Sequence, residues 1–200
     1  SHIEKAVPAM TENEEEVDVQ TAQQAAADFL GVKADILTYT YTAEGQLSTY
    51  SFSGQINGGD VSIDMSVKGA LPVNMLSSRQ TAQDTLSPEQ CVEAARTFLS
   101  DHGFENMVPT YWQSMTGSVL VNFAYQDGDV LAYPDLIKII IARDDGTAIG
   151  FESRGYVMNH RARDIPAPAV DRQTAQDALS KAMTVQDYKL AIIPTEGDNE

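Results

Sequence analysis

The side chains with which this chain could do chemistry are few and scattered. His2, His102 and His160 supply all the imidazole in 200 residues, and Cys91 supplies the single thiol. Zinc requires clustered ligands, which this spacing does not provide, so no metal is expected. One cysteine also excludes an internal disulfide. Because Cys91 falls on an apolar helical stripe, packing accounts for it best. Motifs for nucleophiles and phosphates are missing: there is no Gly-x-Ser-x-Gly, no Ser-x-x-Lys, no P-loop and no Gly-x-Gly-x-x-Gly. The expectation is therefore a protein that is not an enzyme and takes no cofactor.

Carboxylates are abundant, 29 against 13 lysines and arginines, giving a formal charge of −16. Asp127-Gly-Asp and Asp144-Asp-Gly nevertheless sit where hairpins need turn residues, and neither completes a calcium loop. Nothing in the sequence singles out a pair at the spacing glycoside hydrolysis needs. So acidic a chain repels phosphates, and no nucleic acid partner is expected. No apolar run approaches the roughly 20 residues of a membrane span, so the piece reads as soluble.

Two local features stand above this background. Arg154, His160, Arg161 and Arg163 concentrate positive charge around Gly155-Tyr-Val-Met-Asn159-His. They read either as a connection whose arginines pair with acidic neighbours or as a docking patch for an anionic partner. Tyr111 and Trp112 form the second feature. They are consecutive in a strand, so one faces away from the other, and the exposed one could stack on sugar or on a protein partner.

The elements that position these residues are announced by a helix signature written three times. It reads Val17-Asp-Val-Gln-Thr-Ala-Gln-Gln-Ala-Ala, Leu86-Ser-Pro-Glu-Gln-Cys-Val-Glu-Ala-Ala and Val170-Asp-Arg-Gln-Thr-Ala-Gln-Asp-Ala-Leu. Each copy repeats an apolar stripe at i, i+3, i+4, i+7 and i+8, running Ala22 to Leu30, Cys91 to Leu99 and Ala175 to Met183. Asp18, Ser87 and Asp171 stand as N-caps, and Ser87-Pro88-Glu-Gln90 forms a capping-box sequence. The look-alike beginning at Arg79 runs into Ser87-Pro88 and reads as a linker or short helix.

Strand-like segments follow the first two helices, at 36–42, 47–52 and 61–67, and at 108–112, 118–125, 136–142 and 148–153. Short connections imply antiparallel pairing, and alternation of Ile137, Ile139 and Ile141 marks a central strand apolar on both faces. The predicted class is α+β, tandem units each with a helix packed on an antiparallel sheet. An apolar content of 42% suffices for two small cores. The expected division is a tag scar and disordered acidic lead-in over 1–16, units over 17–78 and 86–163 joined by a linker at 79–85, and a partial third unit over 164–200. That third unit holds one helix and one strand, 188–193, and reads as truncated. Such a strand must join the second unit's sheet or another chain's edge, because isolated backbone groups go unmatched.

Helix, strands and an Ile-Ile-Ile-Ala-Arg-Asp-Asp-Gly-Thr-Ala-Ile-Gly-Phe-Glu hairpin, in that order, resemble the PepSY module. The paired units are similar to the C-terminal part of the YpeB family of spore germination proteins. The resemblance is carried by Ala95-Arg-Thr-Phe-Leu with Gly103-Phe104, Tyr133-Pro-Asp-Leu-Ile-Lys, Gly155-Tyr-Val-Met-Asn-His-Arg and Leu190-Ala-Ile-Ile-Pro. It implies a non-catalytic, extracytoplasmic protein of the inner spore membrane and cortex region. It further implies a partner, a SleB-like enzyme that cuts cortex peptidoglycan, which the chain would stabilise or restrain. Direct peptidoglycan binding through Tyr111, Trp112 or the arginines, and PepSY-type peptidase inhibition, are the alternatives.

Overall fold

The computed structural model describes residues 14–160 and the backbone of Leu190–Ile192. Each of the first two helix signatures forms its helix, α1 over Val19–Leu30 and α2 over Pro88–Asp101. The side chain of Asp18 accepts from the Thr21 amide at 2.7 Å. Ser87 and Gln90 close a full capping box, with Pro88 at the first helical position where its missing N–H costs nothing. Gly31 ends α1 in the left-handed conformation, φ +67°, which an L side chain would resist.

Four strands follow each helix. In the first unit they are β1 (Thr38–Ala43), β2 (Thr49–Ile56), β3 (Gly59–Ser66) and β4 (Pro72–Ser77); in the second, β5 (Met107–Met115), β6 (Ser118–Asp127), β7 (Val130–Ala142) and β8 (Ala148–Glu152). Antiparallel pairing runs throughout these eight, in the order β1-β2-β3-β4-β8-β7-β6-β5. The chain is thus an α+β protein with one continuous sheet. Its two units meet where the last strand of each pairs with the other, Asn74 opposite Glu152 and Met75 opposite Phe151.

This arrangement relates the units by a pseudo-two-fold passing between β4 and β8. The local irregularities obey it. An extra residue stands in β1 between Tyr39 and Tyr41, and another in β5 between Pro109 and Tyr111. Thr40 and Thr110 occupy those places, and each hydroxyl donates to the neighbouring strand, to the Ser51 carbonyl at 2.9 Å and the Asn122 carbonyl at 3.3 Å. A bulge re-aims the side chains that follow it.

Both helices cover the same sheet face, and their buried apolar residues join one large cluster containing Ala22, Ala26, Ile63, Cys91, Ala95, Val121 and Ile139, while Leu47, Val73 and Val157 form a small separate one. The two separate cores that composition allows are therefore one. Phe29 of α1 and Phe98 of α2, equivalent positions of the repeated stripe, meet edge-on with centroids 5.4 Å apart, and Phe29 also packs on Phe151 at 5.1 Å. Joining the stripes across the axis hides more apolar surface than two small cores could, and burial scales with that area.

Two expectations need adjustment, and of the two readings of 79–85 the linker stands over the short helix. β7 is central and Ile137, Ile139 and Ile141 are fully buried, but its other face is not uniformly apolar, for Lys138 is exposed and Ile140 lies over Gly150. The 79–85 segment forms no helix. Residues 14–16, assigned to the lead-in, touch the fold: Glu16 bridges to Lys68 and the Glu15 carbonyl accepts from the Gly69 amide at 3.1 Å. The third helix signature lies outside the described residues. Of the 188–193 strand, β9 (Leu190–Ile192) is described, and it pairs in parallel with Val130–Ala132 of β7, joining the second unit's sheet as expected.

Candidate functional site

The segment after β8 folds as a short helix, α3 (Arg154–Asn159), which sequence reasoning missed. Six residues are too few to show a helical period. Opposite it, β7 bulges at Tyr133-Pro134-Asp135, since Ala124 pairs with Leu136 while Tyr125 pairs with Ala132. Gly155 is required at this approach: a Cβ there would stand 2.9 Å from the Pro134 carbonyl oxygen. The Asn159 amide donates to the carbonyls of Pro134 and Gly155, at 3.3 and 2.8 Å.

His160 ends α3 and places Nδ1 2.8 Å from the Asp135 carboxylate, which is wholly buried. Its ring stacks on Tyr156, centroids 4.3 Å apart and planes within 10°, and meets Tyr125 edge-on at 4.5 Å. Burial first, then the Asp135 charge and Tyr125, pushes the Tyr156 hydroxyl up to about 12. Ser153, fully buried, ties α3 to the first unit by donating from its hydroxyl to the Pro72 carbonyl at 2.6 Å. An imidazole beside a carboxylate can serve acid–base chemistry, but no nucleophile or open cavity accompanies this pair among the described residues, and its contacts fasten helix to sheet.

The turn carboxylates are used in the same way. Asp144 and Asp145, in the β7–β8 turn, grip Arg79 of the linker: Nη1 and Nη2 reach the two Asp144 oxygens at 2.9 and 3.0 Å, and Nη2 also reaches Asp145 at 2.9 Å. The Ala82 amide donates to Asp144 at 2.8 Å. The Arg79 guanidinium, with that amide second, holds the Asp144 carboxyl well below the usual carboxylate range. Arg143 donates to Asp84 at 2.7 Å and to the Leu86 carbonyl, so the linker is strapped down at both ends. The linker's lone cation and the Asp-Asp-Gly turn were the available signals.

Cys91 is buried, and desolvation pushes its thiol up, away from the reactive thiolate. No group of three or more His, Cys, Asp or Glu that could hold a metal occurs among the described residues. Between the two helices and the β2–β3 and β7–β8 turns lies a cleft of about 250 Å³, lined by Phe29, Val61, Met75, Phe98, Arg79 and Thr147. Its walls are mostly apolar and its one cation is already paired to Asp144, so it can accommodate an aliphatic group but offers no acid–base pair.

The candidate residues are therefore not brought into one place. Asn159 and His160 hold α3 to β7; Arg154 is exposed and in no ion pair among the described residues; Arg161 and Arg163 lie outside them. Tyr111 and Trp112 stand on β5, at the far edge of the sheet, 54% and 42% exposed. Tyr111 opposes Asn122 and Trp112 opposes the fully buried Val121, so they project from opposite faces, as their adjacency required.

A helix followed by four antiparallel strands, occurring twice and merged into one sheet, with no assembled nucleophile, base and cavity among the described residues, defines a tandem PepSY module. The family description "YpeB sporulation, PepSY1 and PepSY2 domains" matches residues 1–166. The chain belongs to the YpeB family of sporulation proteins. It is 28% identical over 187 residues to the sporulation protein YpeB of Oceanobacillus iheyensis, covering 92% of this chain and 42% of that protein. Against its Bacillus subtilis counterpart it is 31% identical over 136 residues, 67% of this chain and 30% of that one. The chain thus spans less than half the length of these relatives, neither of which bears an enzyme's name. The Bacillus megaterium YpeB C-terminal domain superposes with a TM-score of 0.80 and 28% identity, over 90% of this chain and 81% of that one. No helix among the described residues is long and apolar enough to cross a membrane.

Proposed function

We propose that this chain is a non-catalytic binding and regulatory module that stabilises or restrains a SleB-like cortex-lytic enzyme, outside the cytoplasm and near the spore cortex. One observation carries the reading. The groups left open for chemistry are spent on construction, His160 on Asp135 and the turn carboxylates on Arg79, while the two edge strands expose the aromatic side chains of Tyr39, Tyr41, Tyr111 and Trp112. A surface of that kind binds rather than reacts.

The test is retention of a SleB-like enzyme on the immobilised protein, with slower release of cortex fragments while it is held. Failure of the full-length protein to retain the enzyme, together with normal enzyme levels in spores lacking it, would sink the proposal. Exposure of both Tyr111 and Trp112 favours a second reading, contact with cortex peptidoglycan itself. Sedimentation with purified cortex decides that, and a protein that stays in the supernatant refutes it.

A further inference from the structure

We propose that β5 is a strand-addition site, which receives an extended, basic segment of a partner protein as the next strand of the sheet. The inference rests on the binding-module reading and names the surface and the chemistry of its occupant.

Position comes first. β5 terminates the sheet, so along its outer side the backbone donors and acceptors have no strand opposite them among the described residues. It is nine residues long, and the stretch from Thr110 to Met115 is exposed throughout. Edges that must stay unpaired usually carry charges, most often lysine, to repel another strand. In a chain with 21% charged residues, Met107–Met115 contains no Asp, Glu, Lys or Arg. Its remaining protections are Pro109 and the bulge at Thr110, both confined to its first half.

The aromatic side chains suit the same role. Trp112 lies at the margin of the helix-covered face, level with Val121, and Tyr111 lies on the open face, level with Asn122 and Lys138. A strand laid along β5 would find a large amphipathic ring on each side of it, where alternate side chains of the incoming segment project. Main-chain hydrogen bonds would supply affinity, and the two rings would supply grip and register.

Charge identifies the occupant. The chain as a whole carries −16, which opposes pairing of two copies. The carboxylates gather at one end of β5. Glu105 precedes the strand, Asp101 ends α2 just before it, and Asp127 and Asp129 flank the β6–β7 turn beside it, where the Gln126 amide donates to the Asn106 carbonyl at 2.8 Å. All four are exposed and none is in an ion pair among the described residues. At the Met115 end, Arg143 of the β7–β8 turn, whose amide donates to the Gly117 carbonyl, and Asp84 of the linker are already paired with each other. An antiparallel strand, the sense used between all neighbours from β1 to β5, would bring its C-terminal end to these carboxylates. The segment that fits is therefore uncharged and β-forming along its length and basic at its C-terminal end.

Trp112 is the only tryptophan, so its emission reads this edge directly. The probes are two synthetic strand peptides of alternating Thr and Val, one ending in three lysines and one in three glutamates. The lysine peptide is expected to shift Trp112 emission to the blue and to slow amide exchange at alternate β5 positions. The glutamate peptide should bind at least tenfold more weakly. Tyr111→Lys, on an exposed side chain that leaves the tryptophan in place, should weaken the lysine peptide at least tenfold while the circular dichroism spectrum stays unchanged. No shift and no protection with the lysine peptide, equal binding of the two peptides, or an indifferent Tyr111→Lys variant would each overturn the proposal. So would β5 protection that rises with concentration of the protein alone, because the occupant would then be a second copy. If the wild type and Tyr111→Lys retain a SleB-like enzyme equally, the edge is refuted while the binding function stands. If neither retains it, the function falls and the peptide titration still decides the edge.

Discussion

Truncating Phe29 tests whether the two units are energetically one body. Its ring, 8% exposed, meets Phe98, His102 and Phe151, all contributed by the second unit, at centroid distances of 5.4, 4.8 and 5.1 Å. Phe29→Ala leaves a cavity on the pseudo-two-fold, and a buried phenylalanine costs about 3–5 kcal/mol when removed. For a chain of this size each kcal/mol moves Tm by about 2–4 °C, so the expected fall is about 6–20 °C. The assay is thermal or urea unfolding followed at once by circular dichroism, which reports both units, and by Trp112 fluorescence, which reports the second alone. A shared core requires the two curves to coincide before and after substitution, and both to shift. If Trp112 keeps its wild-type midpoint while circular dichroism resolves an earlier first step, the units unfold independently and the single-core argument fails.

Further expectations follow from the strap, from the close approach beneath it and from the α3 knot. The folded Asp144 carboxyl is depressed, so its contribution is complete above the ordinary value of 3.8 and is lost as pH falls through the folded one. The stability gap between wild type and Asp144→Asn should therefore narrow in urea melts taken from about pH 5 down to about pH 2, and a constant gap would contradict the assignment. Gly59→Ala would drive a Cβ into the Arg79 backbone, within 2.7 Å of its Cα; a loss of about 1–3 kcal/mol in urea unfolding is expected, and an unchanged midpoint would show that the strap yields freely. Tyr156, raised above the ordinary tyrosine value of 10.0 to about 12, keeps its proton longer folded than unfolded, so stability should decline with rising pH across that interval. Tyr156→Phe should flatten that decline in alkaline melts, and an equal slope in both proteins would remove the tyrosine as its cause.

Much of the local architecture was legible because its causes are local. The caps at Asp18 and Ser87 depend on oxygens three residues from the amides they satisfy, and the Asp144-Asp-Gly turn depends on neighbours. The adjacency of Tyr111 and Trp112 likewise forced them to opposite faces of a strand wherever that strand lay. By contrast, β4 alternates Val73 and Met75, buried, with Asn74 and Leu76, exposed, but six residues among loops are too short for the period to stand out in the sequence. The seam between units is hidden with it, since β4 is the strand that pairs with β8. The cluster at 154–163 looked like a charged connection because charge is visible in a sequence and partners are not: Asp135, 25 residues away, claims His160 only after β7 bulges towards α3.

By itself the sequence determined a repeated helix with its caps, the turns that fold strands back on themselves, the lack of catalytic motifs and a resemblance that the family match bears out. Tertiary structure alone decided that the two units share one sheet and one core, that a linker arginine and two turn carboxylates form a strap, and that an uncharged aromatic strand ends the sheet. The physical reason is range. Capping and turn formation are settled within a few residues by backbone hydrogen bonding. Which strands become neighbours and which become edges depends on where separated apolar stripes can be buried together, a choice made by the whole chain at once.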